Sequence, residues 1–371
     1  MQYRLVAPCL FGLEALVAGE LKALGAADVL AENGRVLFSG DDSILARANI
    51  CSRYAERILI LAGEFEALSF TNLFDGVKAI PWERYIGKTD AFPVKGWSRD
   101  SQLHSIPDCQ SIIKKAIVNR LCQHYHLNWL EETGATCRIS FSIFKNKVCV
   151  MIDTSGDGLH KRGYRRNAND APLKETLAAA MVYLAHIYDD STVYDPMCGS
   201  GTILIEAALM ARNIAPGIRR GFAAEKFGFI PSAVWQQERS RAMSEIKNNI
   251  PFKAVGSDID PQSIALAMEN AKKAGVDGCI SVSLADVKDF APTTERGVVI
   301  TNPPYGERLL DIKSAEALYK VLGSVCPSKK GYKYNVISSD DNFETCFGRP
   351  ADKRRKLYNG SIRCQLYMYF R

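Results

Sequence analysis

The spacing of apolar residues along the chain changes near its middle. In the first part, Tyr3–Val6 reads as a strand. Leu13, Leu16, Val17, Leu21 and Leu24 then recur at helical intervals, and Gly25 stops the run. Asn33-Gly34 predicts a turn before the short apolar strand Val36–Phe38. Ile112, Ile113, Ala116, Ile117 and Leu121 predict a second helix. Cys137, Ile139, Phe141 and Ile143 alternate with polar residues, as do Val148, Val150 and Ile152, so the intervening Lys145-Asn146-Lys147 predicts a hairpin. This half reads as α+β.

From about residue 190 onward, short β-rich runs alternate with helical ones. TVYDP precedes TILIEAALMAR; KAVGSDID precedes PQSIALAMENAKKAG; SVSLAD stands alone; VVITNPPY precedes SAEALYKVLGSV; NVISSD follows. Alternation of this kind predicts a parallel, doubly wound sheet. The last segment, RRKLYNGSIRCQLYMYF, carries Asn359-Gly360, a strong hairpin signal. The expected fold is therefore α/β: a Rossmann-like sheet with an antiparallel hairpin at its edge, preceded by α+β domains. Gly156, Asp157, Gly158 and Gly163 punctuate the chain at residues 155–170, where the halves should meet.

Composition narrows the class. A chain of 371 residues has room for two or three domains, and 47% apolar with 24% charged residues is ordinary for a globular protein. No apolar run is long enough to span a bilayer. Glu14 and Glu20 interrupt the apolar start, which argues against a secretory signal. Eleven cysteines without a Cys-x-x-Cys pair, and five unpaired histidines, predict reduced thiols in a cytoplasm and no metal site. The net charge of +6 is uneven. Residues 1–160 hold 17 Lys/Arg and 18 Asp/Glu; residues 161–371 hold 30 and 23. Lys161, Arg162, Arg165 and Arg166 form one basic cluster and Lys353–Lys356 another, which suggests an anionic partner, although short basic runs are also common as solvated surface.

In doubly wound sheets ligands bind at the carboxyl ends of strands. Four such ends carry suggestive residues. Asp195-Pro-Met-Cys-Gly199-Ser-Gly201-Thr202 joins a strand to a helix. Its glycines allow close backbone approach, the helix start offers free N–H groups to a carboxylate, and Asp195 can accept from an ammonium. A ligand with both groups is an amino acid, such as the methionine part of S-adenosylmethionine. Gly256-Ser-Asp258-Ile-Asp260-Pro261 puts Asp258 where a ribose diol would donate, while Asp260 before Pro261 suits a helix cap. Asp286-Val287 offers a carboxylate and a backbone N–H to an adenine edge. Either acid alone also reads as a turn residue. Asn302-Pro-Pro-Tyr305 is stiff, because each residue before a proline is pushed to extended conformations. The Asn302 side chain and the Pro303 carbonyl could both accept from one planar –NH2 group, aim its lone pair, and stabilise the charge it gains. Tyr305 could stack on the ring bearing that amine. A strand-ending turn is the plainer reading of the same prolines.

At these residues the chain resembles the class I amino-methyltransferases of the Asn-Pro-Pro-Tyr type. More narrowly, it is similar to THUMP-domain RNA methyltransferases, often labelled adenine-specific DNA methylases, and to the amino-terminal half of the bacterial large-subunit rRNA guanine-N2 methyltransferase. Matching stretches are Phe11–Glu14, Glu20–Gly25, Ser105–Gln110, Lys114–Ile117, Leu159–Arg165, Ala171–Ala178, the Asp195 loop, Ala215-Pro-Gly217 and Asn302–Tyr305. The resemblance implies a ferredoxin-like piece at 1–45, a THUMP RNA-binding domain at 46–155 and a methyltransferase domain at 165–371, with S-adenosylmethionine as cofactor and RNA, most simply large-subunit rRNA, as partner. It implies catalytic roles for Asn302, Pro303, Pro304 and Tyr305. The cofactor would be held by Asp195, Pro196, Cys198, Gly199, Gly201, Thr202, Asp258, Ile259, Asp286, Val287, Asn302 and, at the start of a helix, Glu175. RNA would meet Lys161, Arg162, Arg165 and Arg166. Alternatives are an N6-adenine methyltransferase on RNA or DNA, methylation of a protein glutamine amide, and a non-catalytic RNA-binding assembly factor.

Overall fold

Strands of the computed structural model fall into two seven-stranded sheets among the described residues, which are 1–165, 173–188, 190–304 and 312–370. The first sheet takes the amino-terminal half. Its elements are β1 (Tyr3–Pro8), α1 (Glu14–Ala23), β2 (Ala27–Glu32), β3 (Arg35–Gly40), α2 (Asp42–Cys51), β4 (Leu59–Glu66), α3 (Phe70–Ala79), β5 (Val94–Arg99), α4 (Ile106–Tyr125), β6 (Ile139–Phe144) and β7 (Lys147–Asp153). Strand order is β2-β3-β1-β4-β7-β6-β5, antiparallel except for β5 beside β6. The portions expected to be ferredoxin-like and THUMP thus share one sheet, joined where Leu5 and Val6 pair with Ile60 and Leu59. The β6–β7 turn places Lys145 and Asn146 at positive φ, as a tight hairpin requires. Asp41 and Ser69 cap α2 and α3 by accepting from the N–H groups of Ile44 and Asn72.

The second sheet holds β8 (Thr192–Asp195), β9 (Lys253–Asp258), β10 (Ile280–Leu284), β11 (Gly297–Thr301), β12 (Tyr332–Ser338), β13 (Lys353–Asn359) and β14 (Ile362–Tyr369). The order is β10-β9-β8-β11-β12-β14-β13. The first five are parallel; β14 runs antiparallel to β12 and β13 completes the edge hairpin. Helices α5 (Glu175–Leu184), α6 (Thr202–Ala211), α7 (Ser232–Ser244), α8 (Pro261–Ala274), α9 (Ile312–Val325) and α10 (Phe343–Phe347) accompany these strands. Every residue of β11 is buried, as a central parallel strand demands. The chain leaves β8 toward β10 on one side and returns to β11 on the other, so the strand order switches at β8.

The two halves are fastened together by partly buried polar contacts. Arg47 donates twice to Glu238, at 2.8 and 2.9 Å. Arg53 donates to the Ile214 carbonyl at 3.0 Å, and Arg355 of the edge hairpin to the Gly12 carbonyl at 3.2 Å. The linker corrects one expectation. Arg162 and Arg165 do not face solvent for an RNA phosphate. Arg162 is buried, donates to the carbonyls of Leu159 and Arg53, and lies 3.5 Å from Glu206, which also accepts from Tyr164 at 3.0 Å. Arg165 pairs with Glu175 at 3.0 Å. A guanidinium inside the protein needs a carboxylate and carbonyls around it, and these two have them. Lys161 stays 62% exposed beside Asp157, and Arg166 lies outside the described residues.

Candidate active site

Carboxyl ends of β8, β9, β10 and β11 line up along one rim of the second sheet. Parallel register sets Asp195 opposite Gly256 and Leu284 opposite Asp258, while Tyr194 faces Val299 two residues before Thr301. Between Asp195 and Thr202 the loop turns on two glycines, Gly199 at φ +49° and Gly201 at φ +76°. A Cβ on Gly201 would sit 3.0 Å from that of Ala267 on α8, so glycine lets loop and helix close up. At Gly199 a Cβ would meet nothing, leaving open space in front of the loop. The loop is bolted to its neighbours: the Cys198 N–H donates to the Ser257 carbonyl (2.9 Å), Gly199 N–H to Asp258 (2.9 Å), and Asn270 to the Ser200 carbonyl (3.1 Å).

Asp195 is buried, and one carboxylate oxygen accepts from the Thr301 hydroxyl at 2.8 Å and the Met197 N–H at 3.3 Å. Its other oxygen accepts no bond from the described residues. Burial pushes its pKa up to about 7, against those two donors, and the Asp258 charge adds to the rise. Burial likewise pushes the Cys198 thiol up, so it is an apolar wall and no nucleophile. A cation placed beside this acid would lower the cost of charging it.

Asp258 ends β9 with both oxygens accepting backbone N–H groups, from Gly199 and from Asp260 at 3.0 Å. A carboxylate has about four acceptor sites, so two remain open for further donors. Asp260 caps α8, accepting from Gln262 and Ser263. Asp286 is half-exposed and accepts from the Lys288 N–H (3.0 Å) and ammonium (3.2 Å). Val287 behind it is buried. Ile259 (71% exposed) and Leu284 (61%) stand open at the ends of β9 and β10, apolar surfaces that a flat base could cover. Pro196 offers no N–H, and its carbonyl accepts from Ser257.

On the other side of Asp195, Asn302 follows β11. Its side-chain oxygen is buried and has no hydrogen-bond partner among the described residues. Pro303 is buried and Pro304 half-buried behind it; Tyr305 lies outside the described residues. Glu175, first residue of α5, is buried and held by Arg165, whose guanidinium also donates to Thr202 at 3.1 Å and to the Leu173 carbonyl. Burial raises the Glu175 pKa and Arg165 opposes the rise.

Two contributors were not evident from sequence. Thr301 steadies Asp195, and its only sequence signal is a lone hydroxyl in the apolar run before Asn302. Glu56, from the first sheet's half, accepts from Lys174 at 2.7 Å and Thr176 at 2.6 Å, at the start of α5. Nothing in the local sequence marks Glu56. A separate cavity of ≈ 600 Å³ between Arg212, Asn248, Phe252 and Cys279 opens at the amino ends of β9 and β10, on the opposite rim. The chemistry gathers elsewhere.

Known proteins carry the same parts. Three family models match: an RlmL ferredoxin-like domain over residues 4–59, a THUMP domain over 67–153, and an RMKL-like methyltransferase domain over 162–368. A Bacillus subtilis (strain 168) protein named "Putative RNA methyltransferase YpsC" is 43% identical across 100% of this chain and 96% of its own length. The "Ribosomal RNA large subunit methyltransferase K/L" of Psychromonas ingrahamii is 35% identical over 98% of this chain, which spans about half (49%) of that relative's length. Among solved structures, "SMU.472, a putative methyltransferase complexed with SAH" superposes with a TM-score of 0.95 at 41% identity, covering 100% of this chain and 98% of the other.

Proposed function

We propose, for a chain that belongs to the RMKL-like methyltransferase family, that it methylates N2 of a guanine in large-subunit ribosomal RNA in the cytoplasm. The coarser statement, an S-adenosylmethionine-dependent RNA methyltransferase, is supported by three things together: the methyltransferase domain of the family, RNA in the relatives' names, and SAH in the similar solved structure. The residues present fit that cofactor. Asp195 would face its ammonium, the α6 amino terminus at Thr202 its carboxylate, Asp258 its ribose, and Ile259 with Leu284 its base. When bound, the cofactor supplies an electrophilic methyl group on a sulfonium.

The chain's own work is done on the amine. The buried, unpartnered oxygen of Asn302 is the observation that carries the reading. An acceptor desolvated without a donor costs about 1–3 kcal/mol, a cost that makes sense where a substrate N–H will meet it. Asn302 and the Pro303 carbonyl would hold the two N–H bonds of one planar amine, fixing its lone pair in line with the attack direction. As the nitrogen becomes positive, both oxygens stabilise it. The methylated amine is a strong acid until it loses a proton, so no strong base is required. The guanine assignment and the ribosomal target rest on the resemblance, and the aromatic amine of adenine meets the same geometric demands.

The test is single-turnover transfer of labelled methyl from S-adenosylmethionine to unmodified large-subunit rRNA by the full chain, followed by mass spectrometry of nucleosides. N2-methylguanosine is the expected product. Label in N6-methyladenosine would replace guanine by adenine; label in no nucleoside would sink the RNA reading.

A further inference from the structure

The first sheet has two unlike faces. Leu5, Phe38, Ile60, Ile139 and Ile152 belong to the main core that the helices cover. On the opposite face Val6, Leu59, Leu61, Cys149 and Met151 form a small cluster built from strand residues alone, with Leu37 against it. Toward the β5 edge this face becomes basic and aromatic. Exposure alternates along β5, and Lys95, Trp97 and Arg99 are its outward residues. Parallel register sets Trp97 beside Ser142 and Arg99 beside Phe144. Trp97 is 50% exposed and Phe144 44%. Two residues along and one strand across separates their Cα atoms by roughly 8 Å. Lys145 stands 5.4 Å over the Phe144 ring. Among the described residues no carboxylate pairs with Lys95, and Arg99 has only its exposed neighbour Asp100, at 3.5 Å. Farther along, Lys147 is neutralised by Glu64 at 2.8 Å.

We infer that the β5–β6 face binds a single-stranded segment of the RNA substrate, with bases stacked on Trp97 and Phe144 and phosphates held by Lys95, Arg99 and Lys145. The inference rests on the reading that the substrate is RNA. Each feature answers one part of a nucleotide. Every base has a π-face, so an exposed ring between cations binds bases without reading them, and the cations follow the backbone. A duplex keeps its bases stacked on one another and gains nothing from free rings. An apolar protein partner would want aliphatic neighbours around the tryptophan, whereas here Ser140, Ser142 and cations surround it.

Tryptophan fluorescence reads this contact directly. Trp82 and Trp235 are buried, so only Trp97 and Trp129 are open to a quencher. In the full chain carrying Trp129→Phe, a single-stranded oligonucleotide of about ten uridines or adenosines, long enough for the few-nucleotide sites typical of such platforms, should quench the emission; the same length of duplex should not. Trp97→Ala should weaken single-strand binding about tenfold, and Trp97→Tyr should restore most of it. Lys95→Ala with Arg99→Ala should flatten the dependence of log affinity on log salt by about 1.4, at 0.7 per lost single-strand contact. Cofactor affinity, as a control for folding, should not move. If Trp97→Ala binds the oligonucleotide as the parent does, the surface is wrong while the RNA reading stands. If the parent binds cofactor but no RNA of any kind, the RNA reading falls and this surface with it.

Discussion

At the scale of single residues, two of the rim's groups whose states look unfavourable in isolation are the ones to test. Asn302→Ala removes an acceptor for charge that develops mainly in the transition state. It should lower kcat about 10²–10³-fold and leave cofactor affinity nearly unchanged, which single-turnover transfer and calorimetry can separate. A near-normal rate would reduce the Asn-Pro-Pro segment to a strand-ending turn. Asp195 predicts a pH dependence. Its folded pKa is raised, from 3.8 to about 7, so its contribution favours the folded chain fully below pH 4 and is lost as pH rises through 7. The loss amounts to about 4 kcal/mol by linkage. The free protein should therefore melt lower at pH 8 than at pH 5.5, and Asp195→Asn should flatten that difference. An ammonium beside the carboxylate reverses the preference, so cofactor affinity should climb between pH 6 and 8, with proton release visible in buffers of different ionisation heat. Absence of both effects would mean the acid is already charged in the free protein. Asn302 and Asp195 stand out in the sequence because each ends an apolar run with a group no strand needs. Arg162 and Arg165 mislead there: a run of cations looks solvated, and only the fold reveals that Glu206 and Glu175 turn two of them inward.

Elements differ in how plainly their residues announce them. β11, α6 and α8 are buried on one whole face or all round by mostly apolar residues, so their period shows through the buried Glu206 and Asn270, and the rim they form is legible in the sequence. β4 has a bulge between Leu61 and Gly63, which breaks the alternation a strand is recognised by. β2 is half-exposed or exposed along its length, and α7 buries only Trp235, Glu238 and Ala242, one of them a carboxylate paired with two arginines. Those elements are held by neighbours and not by a pattern of their own. The loop between β8 and α6 allows a test in which two similar substitutions part company. Gly201→Ala adds a methyl against Ala267 as well as forcing left-handed backbone, so it should lower stability by roughly 2 kcal/mol or more and reduce cofactor binding only as a consequence. Gly199→Ala meets open space and pays only about 1 kcal/mol of backbone strain, yet its methyl points where a ligand would lie. Its melting temperature should fall less than that of Gly201→Ala, while its cofactor affinity should fall more. The reverse order would place the ligand elsewhere on the rim.

Over the whole molecule, the amino-terminal half does more than carry the methyltransferase domain. Glu56 leaves the first sheet's domain to accept from Lys174 and Thr176 where α5 begins, beside His160 and one residue from Glu175. Burial alone would raise the Glu56 pKa, but His160 at 3.6 Å and bonds from Lys174 and Thr176 hold it down at about 2. A depressed carboxylate pKa stabilises the folded chain above pH 4.5 and stops doing so as pH falls toward 2, a contribution of about 3 kcal/mol by linkage. That energy ties the start of α5, and with it Glu175, Arg165 and Thr202, to the other domain. Removing the charge should therefore be felt at the cofactor, although Glu56 stands across the domain boundary from the cofactor loop. Glu56→Gln keeps an acceptor for Thr176 and loses the ion pair with Lys174. It should lower the melting temperature and weaken cofactor binding severalfold while leaving single-stranded RNA affinity, measured on the β5–β6 face, as it was. Lys174→Met should produce the same loss, and the double variant should lose little more than either alone, because each change already breaks the one pair. Additive losses, or a cofactor affinity unmoved by Glu56→Gln, would show that the two halves merely touch at α5.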